Sequence, residues 1–354
     1  MTRVAFLIDI VDSFGERELA LRFARRLPAG VAPLFVTERN VAPHFAGQGE
    51  TASYDSVDEA WQALRAADPA LVICCEFFNL PPPLRERVVG GPWKLVTTDG
   101  MAMGVEINTN PFGVPGAARG LELPAGMARL RNCPVNDPLP DDSLLFHWAL
   151  WPGLARGDGA ALRASWGIPP RDRVLMMAVS PWAARAAAGL GHVHHYRRLV
   201  ERVVVELAAL GVDATFMIVA TPPAVRRVGR VTVRTLGYLP PDVYERLLLG
   251  SDLVVSDNII QLSVGKAFVA GVPTMVLTNS RPEVGPRYNI FPVRLHFPET
   301  EYVRSLAPVE LGDGDAIRAR LAVALGGEPA RGAAYRAALD RLRSPAEIVS
   351  ILLS

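Results

Sequence analysis

Lysine is almost missing from this chain of 354 residues: Lys94 and Lys266 are the only two among its 37 basic side chains. Charge of either sign is balanced, to a formal net charge of +1, and no block reads as a basic arm. The electrostatic footprint of a nucleic-acid binder is therefore lacking. Cysteine is scarce as well. Cys74 and Cys75 share one apolar run and Cys133 falls in a loop stretch. Three thiols without metal-ligand spacing speak against a disulfide framework or a zinc site and point to a reducing compartment. No run approaches the roughly 18–20 apolar residues of a membrane span. The apolar start from Val4 to Ile8 is short, with Asp9 and Asp12 where a leader would be cleaved, so a signal peptide is not expected and the predicted location is cytoplasmic. Nor does a Gly-x-Gly-x-x-Gly follow either opening strand, which argues against a dinucleotide enzyme.

What is present is apolar sequence, half of all residues. The chain is longer than one core usually supports, so two domains are expected. Their boundaries are read at 1–150 and 151–331, with helical pieces over 332–354 placed to cross back to the first. Val4–Ile10, Val31–Thr37, Leu71–Cys75 and Trp93–Thr97 read as strands, with helices over Phe14–Leu27 and Ser56–Ala67. Such apolar runs suit strands covered on both faces, and strand–helix alternation implies an open α/β sheet. Asn108 to Pro140, rich in Gly, Pro and Asn, is predicted to be irregular. Alternation then resumes with strands over Val174–Val179, Ala214–Ala220, Val231–Leu236, Leu253–Val255 and Thr274–Leu277. Helices are expected over Ala160–Trp166, His194–Leu210, Asp242–Leu249 and Gly265–Ala270. The predicted fold class is α/β, two Rossmann-like doubly wound domains facing a cleft.

Two connected segments of the second half carry a family pattern. One is Leu236-Gly237-Tyr238-Leu239-Pro240, a short helix, then Ser251-Asp252-Leu253-Val254-Val255-Ser256. The other runs from Asp257-Asn258-Ile259-Ile260-Gln261-Leu262-Ser263-Val264-Gly265-Lys266-Ala267 to Gly271-Val272-Pro273. Together they resemble the donor domain of GT-B glycosyltransferases of the MurG and UDP-glycosyltransferase kind, as a divergent member. The resemblance implies that Gly237, Tyr238 and Leu239 lie near a nucleobase. It implies that Asp257, Asn258, Gln261, Ser263, Val264 and Lys266 receive the diphosphate and ribose of a nucleoside-diphosphate sugar, used as donor substrate with no permanently bound cofactor. Two departures stand out. No glycine occupies Asp257 to Ile260, and Lys266 takes the place of a glutamate that holds the ribose hydroxyls in the family. An ammonium cannot accept those hydroxyl hydrogens, but it can neutralise a phosphate.

Physical chemistry supports an anion site there without the family. A helix N-terminus has unpaired N–H groups and positive partial charge, Ser263 would add a hydroxyl, and Lys266 lies one turn on. The plainer reading has Ser263 capping the helix and Lys266 in solvent. Ser180 and Trp182 follow a strand end, where open α/β sheets bind ligands, and His192 precedes the next helix, so these three join the donor contacts. His192, His194 and His195 lack a metal-ligand pattern, and no metal is expected. The Asp313–Asp315 spacing reads as a cap or a surface pair.

Transfer to a hydroxyl or amine with inversion needs a proton acceptor. Asp12, Glu76 and Asp99 each follow a strand of the first domain and are the catalytic candidates, Asp12 with helix capping as its alternative. Ser13, Phe77, His147, Trp148, Asn279 and Arg281 are the candidates for substrate contacts. The expected reaction is metal-independent transfer of a sugar to a small-molecule acceptor, as in bacterial small-molecule biosynthesis. Alternatives are a nucleotide-sugar epimerase or hydrolase and a non-catalytic GT-B-like partner. A homodimer or a partner enzyme stays open.

Overall fold

In the computed structural model, residues 1–8, 14–75, 77, 80–98, 123–132, 144–146, 154–179, 195–258, 261–278, 306, 308–327 and 343–354 are described. The chain forms two compact units. Unit 1 comprises residues 1–152 and 339–354, and unit 2 comprises 153–338.

Unit 1 is a seven-stranded parallel sheet in the order β3-β2-β1-β4-β5-β6-β7. Its strands are β1 (Thr2–Ile8), β2 (Val31–Glu38), β3 (Glu50–Tyr54), β4 (Leu71–Cys75), β5 (Lys94–Thr97), β6 (Ala128–Asn132) and β7 (Leu144–Phe146). The helices are α1 (Phe14–Ala24), α2 (Val57–Ala67) and α3 (Pro82–Val89). Val4 to Ile8 and all of β4 are buried, as expected of central parallel strands. Phe6 packs on Phe23 and Phe35, and Phe35 stacks on Phe45 with ring centroids 4.5 Å apart. Ser56 caps α2 by accepting from the Glu59 N–H, and its deletion would cost about 1 kcal/mol.

Unit 2 follows the same plan with an antiparallel edge strand, β10, added. Its sheet runs β10-β11-β9-β8-β12-β13-β14, parallel except for the β10–β11 hairpin. The strands are β8 (Arg173–Ala178), β9 (Ala214–Val219), β10 (Ala224–Val228), β11 (Val231–Leu236), β12 (Leu253–Ser256), β13 (Thr274–Thr278) and β14 (Val309–Glu310). The helices are α4 (Gly159–Trp166), α5 (His195–Ala209), α6 (Pro241–Gly250), α7 (Leu262–Ala270) and α8 (Gly314–Leu325). One face of the sheet buries Leu175, Met177, Phe216, Ile218 and Val255 against Leu199, Val203 and Leu207 of α5 and Ile317 and Leu321 of α8. A last helix, α9 (Pro345–Leu353), carries a capping box between Ser344 and Glu347 and belongs to unit 1.

Several elements differ from the sequence reading. β6 lies inside the stretch expected to be irregular, because Ala128–Asn132 joins an existing sheet edge despite its polar residues. Strands β3 and β10 escaped notice because edge strands need no continuous apolar run, and β10 is exposed along its whole length. α1 ends at Ala24, short of Leu27, as the chain tightens into bonds from Arg26 N–H to Phe23 O and Leu27 N–H to Ala24 O. α7 starts one turn before Gly265. Asp313, by accepting from the Ala316 N–H, is the residue that caps α8, while Asp315 lies on the surface beside Arg318. Among the described residues no helix is long and apolar enough to cross a membrane.

Candidate functional site

In each sheet the first strand sits beside the second and, on its other side, a later strand, β4 in unit 1 and β12 in unit 2, so the connections leave in opposite directions from one point. Open α/β sheets bind ligands outside the carboxyl ends of the strands at that reversal. In unit 2 the reversal lies between β8 and β12. Gln261, the residue before α7, bridges it. Its side-chain amide donates to the Ala178 carbonyl at the end of β8, at 3.2 Å, and accepts at 2.7 Å from the Ser256 hydroxyl at the end of β12. The Ser256 hydroxyl also accepts from the Asn258 N–H at 3.0 Å. These bonds fix the start of α7 at the switch point.

The first turn of α7 then decides which amides are left without an acceptor among the described residues. Val264 and Gly265 N–H both turn back to the Gln261 carbonyl, at 2.9 and 3.3 Å. Among the described residues no acceptor meets the Leu262 or Ser263 N–H, and the Gln261 side chain makes no capping bond. An α-helix leaves such donors to an outside partner, and its dipole favours a negative one. The Ser263 hydroxyl contacts the Tyr244 hydroxyl of α6. It does not cap the helix, as the plain reading of the sequence had it.

Lys266 departs from both sequence expectations. Its ammonium is neither in solvent nor led back toward phosphates. It is buried and donates to Glu245 Oε2 of α6 at 2.8 Å, with the side chains 3% and 32% exposed. Burying an ammonium requires such a partner. The pair therefore joins α6 to α7 one turn below the first-turn amides, and Glu245 is its more accessible end.

Asp257 is buried at the tip of β12, with Asn258 half-buried beside it. Tyr196, in the first turn of α5, is close enough to feel its charge. Burial first, and the Asp257 carboxylate second, push the Tyr196 phenol well above its ordinary range, so it remains a protonated donor. Gly237, Tyr238 and Leu239 leave the carboxyl end of β11. Thr221 N–H donates to the Leu236 carbonyl at 3.0 Å, Tyr238 is exposed, and Gly237 and Leu239 are half-buried. Val264 is a core residue of unit 2.

In unit 1 the same reversal lies between β1, ending at Ile8, and β4, ending at Cys75. Asp12, Ser13, Glu76, Asp99, His147, Trp148, Ser180, Trp182, His192, Asn279 and Arg281 all lie outside the described residues. Phe77, expected on an acceptor wall, packs in the core with Leu7, Val72 and Leu84, and its N–H donates to Thr97 Oγ1 at 3.3 Å. Near the tip of β2, burial and then the Arg17 guanidinium hold His44 below the ordinary histidine range, so it is neutral at pH 7. Among the described residues, no three His, Cys, Asp or Glu side chains are grouped to hold a metal ion.

Sequence reasoning missed Tyr244, Glu245 and Tyr196. The signal for Glu245 was Lys266 itself, a lone lysine in an apolar helix, which needs a carboxylate on a neighbouring element. Tyr244 sits three and four residues before Leu247 and Leu248, on the inward face of α6.

Solved structures share this architecture along the whole chain. The calicheamicin glycosyltransferase CalG4 superposes with a TM-score of 0.59 at 14% identity, over 99% of this chain and 98% of that one. The glycosyltransferase VinC, in complex with dTDP, gives 0.55 at 14% identity over 99% and 98%. A putative UDP-N-acetylglucosamine 2-epimerase from Listeria monocytogenes gives 0.58 at 11% identity over 99% and 94%. The fold is that of the GT-B glycosyltransferases. No curated protein matches the sequence at a significant level. A family model does match it over residues 111–289, half of the chain, and the protein belongs to that family, a family of unknown function, DUF6365.

Proposed function

We propose that this protein transfers a sugar from a nucleoside-diphosphate sugar to a small-molecule acceptor without a metal ion, unit 2 holding the donor. The observation that carries the reading is the first turn of α7 at the reversal of the unit 2 sheet, where the Leu262 and Ser263 N–H groups meet no acceptor among the described residues. A diphosphate there meets fixed donors and the positive end of a helix dipole. Negative charge on the diphosphate grows as the glycosidic bond breaks. Donors already in place stabilise that developing charge more than the ground state, which lowers the barrier.

In this reading Gly237, Tyr238 and Leu239 border the base, and Asp257, Asn258, Gln261 and Ser263 surround the phosphates. Val264 and Lys266 support that turn from beneath, and Ser180, Trp182 and His192, which follow β8 in the sequence, are proposed as further donor contacts. Asp12, Glu76 and Asp99 are the proposed proton acceptors of unit 1, with Ser13, His147, Trp148, Asn279 and Arg281 as acceptor contacts. Each of the three carboxylates follows a parallel strand of that sheet, β1, β4 or β5, which is where the chemistry of such sheets collects. The proposed location is cytoplasmic, in bacterial small-molecule biosynthesis, and a homodimer or a partner enzyme is compatible with it.

An epimerase or hydrolase acting on the same donor is the second reading, favoured by the shared fold of the putative epimerase. One experiment separates them. A panel of nucleotide sugars, with dTDP as the first nucleotide because VinC was solved with it, is screened for thermal stabilisation. Donors that stabilise are then assayed with and without an acceptor library. Transfer is expected only with acceptor present. Donor turnover without acceptor selects the second reading, and absence of any stabilisation removes both.

A further inference from the structure

The amino edge of the unit 2 sheet, where β8 and β12 begin, carries a charged cluster that the proposed transfer does not use. Its centre is Asp252, buried just before β12. Oδ2 of this carboxylate is fully engaged: it accepts from the Val174 N–H at 2.8 Å and pairs with the Arg163 guanidinium. Arg163 is itself fixed by the carbonyls of Asp172 and Gly159, each at 2.8 Å. Oδ1 is approached by two further guanidinium groups, Arg156 Nη2 at 3.7 Å and Arg173 Nη1 at 3.8 Å. Both distances are too long for hydrogen bonds. Both side chains are 47% exposed, and Asp252 is the one ion-pair partner of each among the described residues.

Three guanidinium groups thus face one carboxylate, and the two outer ones hold their planar donors around an oxygen they do not reach. The other nearby acids are engaged elsewhere. Asp158 Oδ1 accepts from the Ala160 and Ala161 N–H groups at the start of α4, at 2.8 and 3.1 Å. Asp172 accepts from the Thr215 hydroxyl at 3.1 Å, and Arg171 pairs with Asp213 at 3.5 Å.

The geometry points to a second anion site, in which Arg156 and Arg173 bind a phosphate-type oxyanion, either free phosphate or the phosphate of a small ester. A tetrahedral dianion supplies the oxygens that two guanidinium forks require, and it neutralises the excess positive charge around Asp252. The site also has a consequence for the chain. Arg156 lies in the segment that enters unit 2, and the next residue is pinned by its N–H to the Leu249 carbonyl at 2.9 Å. An anion shared by Arg156 and Arg173 fastens that segment to the first strand of the sheet, so occupancy stiffens the entry into unit 2.

The test is a titration of the full-length protein with inorganic phosphate at constant ionic strength, set with chloride and read by thermal unfolding. The wild type should show a saturable rise in unfolding midpoint. In R156A/R173A the apparent affinity should fall by about tenfold or more, the loss expected when charge-assisted hydrogen bonds are removed. Both residues are half-exposed, and R156K/R173K, which keeps the charge without the planar fork, guards against a folding defect and should fall between the two. A glycerol phosphate arm distinguishes the sources: an ester site binds it at least as well as phosphate, and a free-phosphate site binds it less well. No saturable rise in the wild type overturns the proposal. So does an unchanged affinity in R156A/R173A, which would place the phosphate elsewhere, for example at the start of α7.

Discussion

Units 1 and 2 share a sheet plan, apart from the hairpin strand β10, but furnish their reversal points differently. In unit 2 the point between β8 and β12 gathers the neutral groups of Ser256, Asn258 and Gln261 and the first-turn amides of α7, with a single carboxylate, Asp257, buried at the tip of β12. In unit 1 the strands that flank it, β1 and β4, run directly into stretches containing Asp12 and Glu76. Under the proposed function the first end receives the anion and the second supplies the proton acceptors. On that proposal the same backbone plan separates two chemical tasks by what its connecting loops carry.

Separation of the cores gives the largest expected effect. Phe35 of unit 1 and Phe216 of unit 2 are both fully buried, and truncating either to alanine should cost about 3–5 kcal/mol. Calorimetry should show F35A lowering one transition and F216A the other. A single transition moved equally by both would break the picture of two units.

The α6–α7 seam comes next. Lys266→Met removes the buried ammonium and its bond to Glu245. Because Glu245 is about a third exposed, the loss should be about 1–2 kcal/mol, less than for a fully buried pair. Affinity for a nucleoside diphosphate should change by less than about threefold, which corresponds to under 1 kcal/mol. A variant of normal stability that loses the nucleotide would return Lys266 to the phosphate site. Gln261→Ala, which deletes two hydrogen bonds across the switch point, should cost about 1 kcal/mol and weaken nucleotide binding several-fold by loosening the first turn of α7.

The smallest effect lies at the surface of unit 2. A hydrogen bond from Arg230, outweighing opposed desolvation, and the charges of Arg230, Arg171 and Arg227 hold the Asp213 carboxyl below its ordinary range. A carboxyl depressed in the folded state stabilises the fold above its unfolded pKa of about 3.9 and loses that contribution as pH falls through the lower folded value. Wild type should therefore lose more stability than D213N on acidification below pH ~4. Parallel acid-melting curves for the two would remove Asp213 from the account.

Much of the fold was legible because central parallel strands are continuous apolar runs; Leu71–Cys75 and Val231–Leu236 coincide with the observed β4 and β11. Edge strands and the polar β6 were not, since their pairing is decided by neighbours distant in sequence. The site was legible in part. A helix start after a strand can be read from pattern, and that located α7. The partner of a buried charge cannot be read from local sequence, and so Lys266 was assigned to phosphate when Glu245, on the preceding helix, already held it.

The central claim is that the open amides at the start of α7 bind a diphosphate, and one substitution addresses the backbone itself. Leu262 is the first residue of α7, where proline suits the helix and removes only an N–H that the helix does not use. The preceding Gln261 has φ −62° and ψ 125°, a conformation that a following proline favours. Titrating dTDP calorimetrically into wild type and Leu262→Pro should show about a tenfold loss of affinity, that of one charge-assisted hydrogen bond, with the unfolding midpoint nearly unchanged. Equal affinity in the two proteins would contradict the claim.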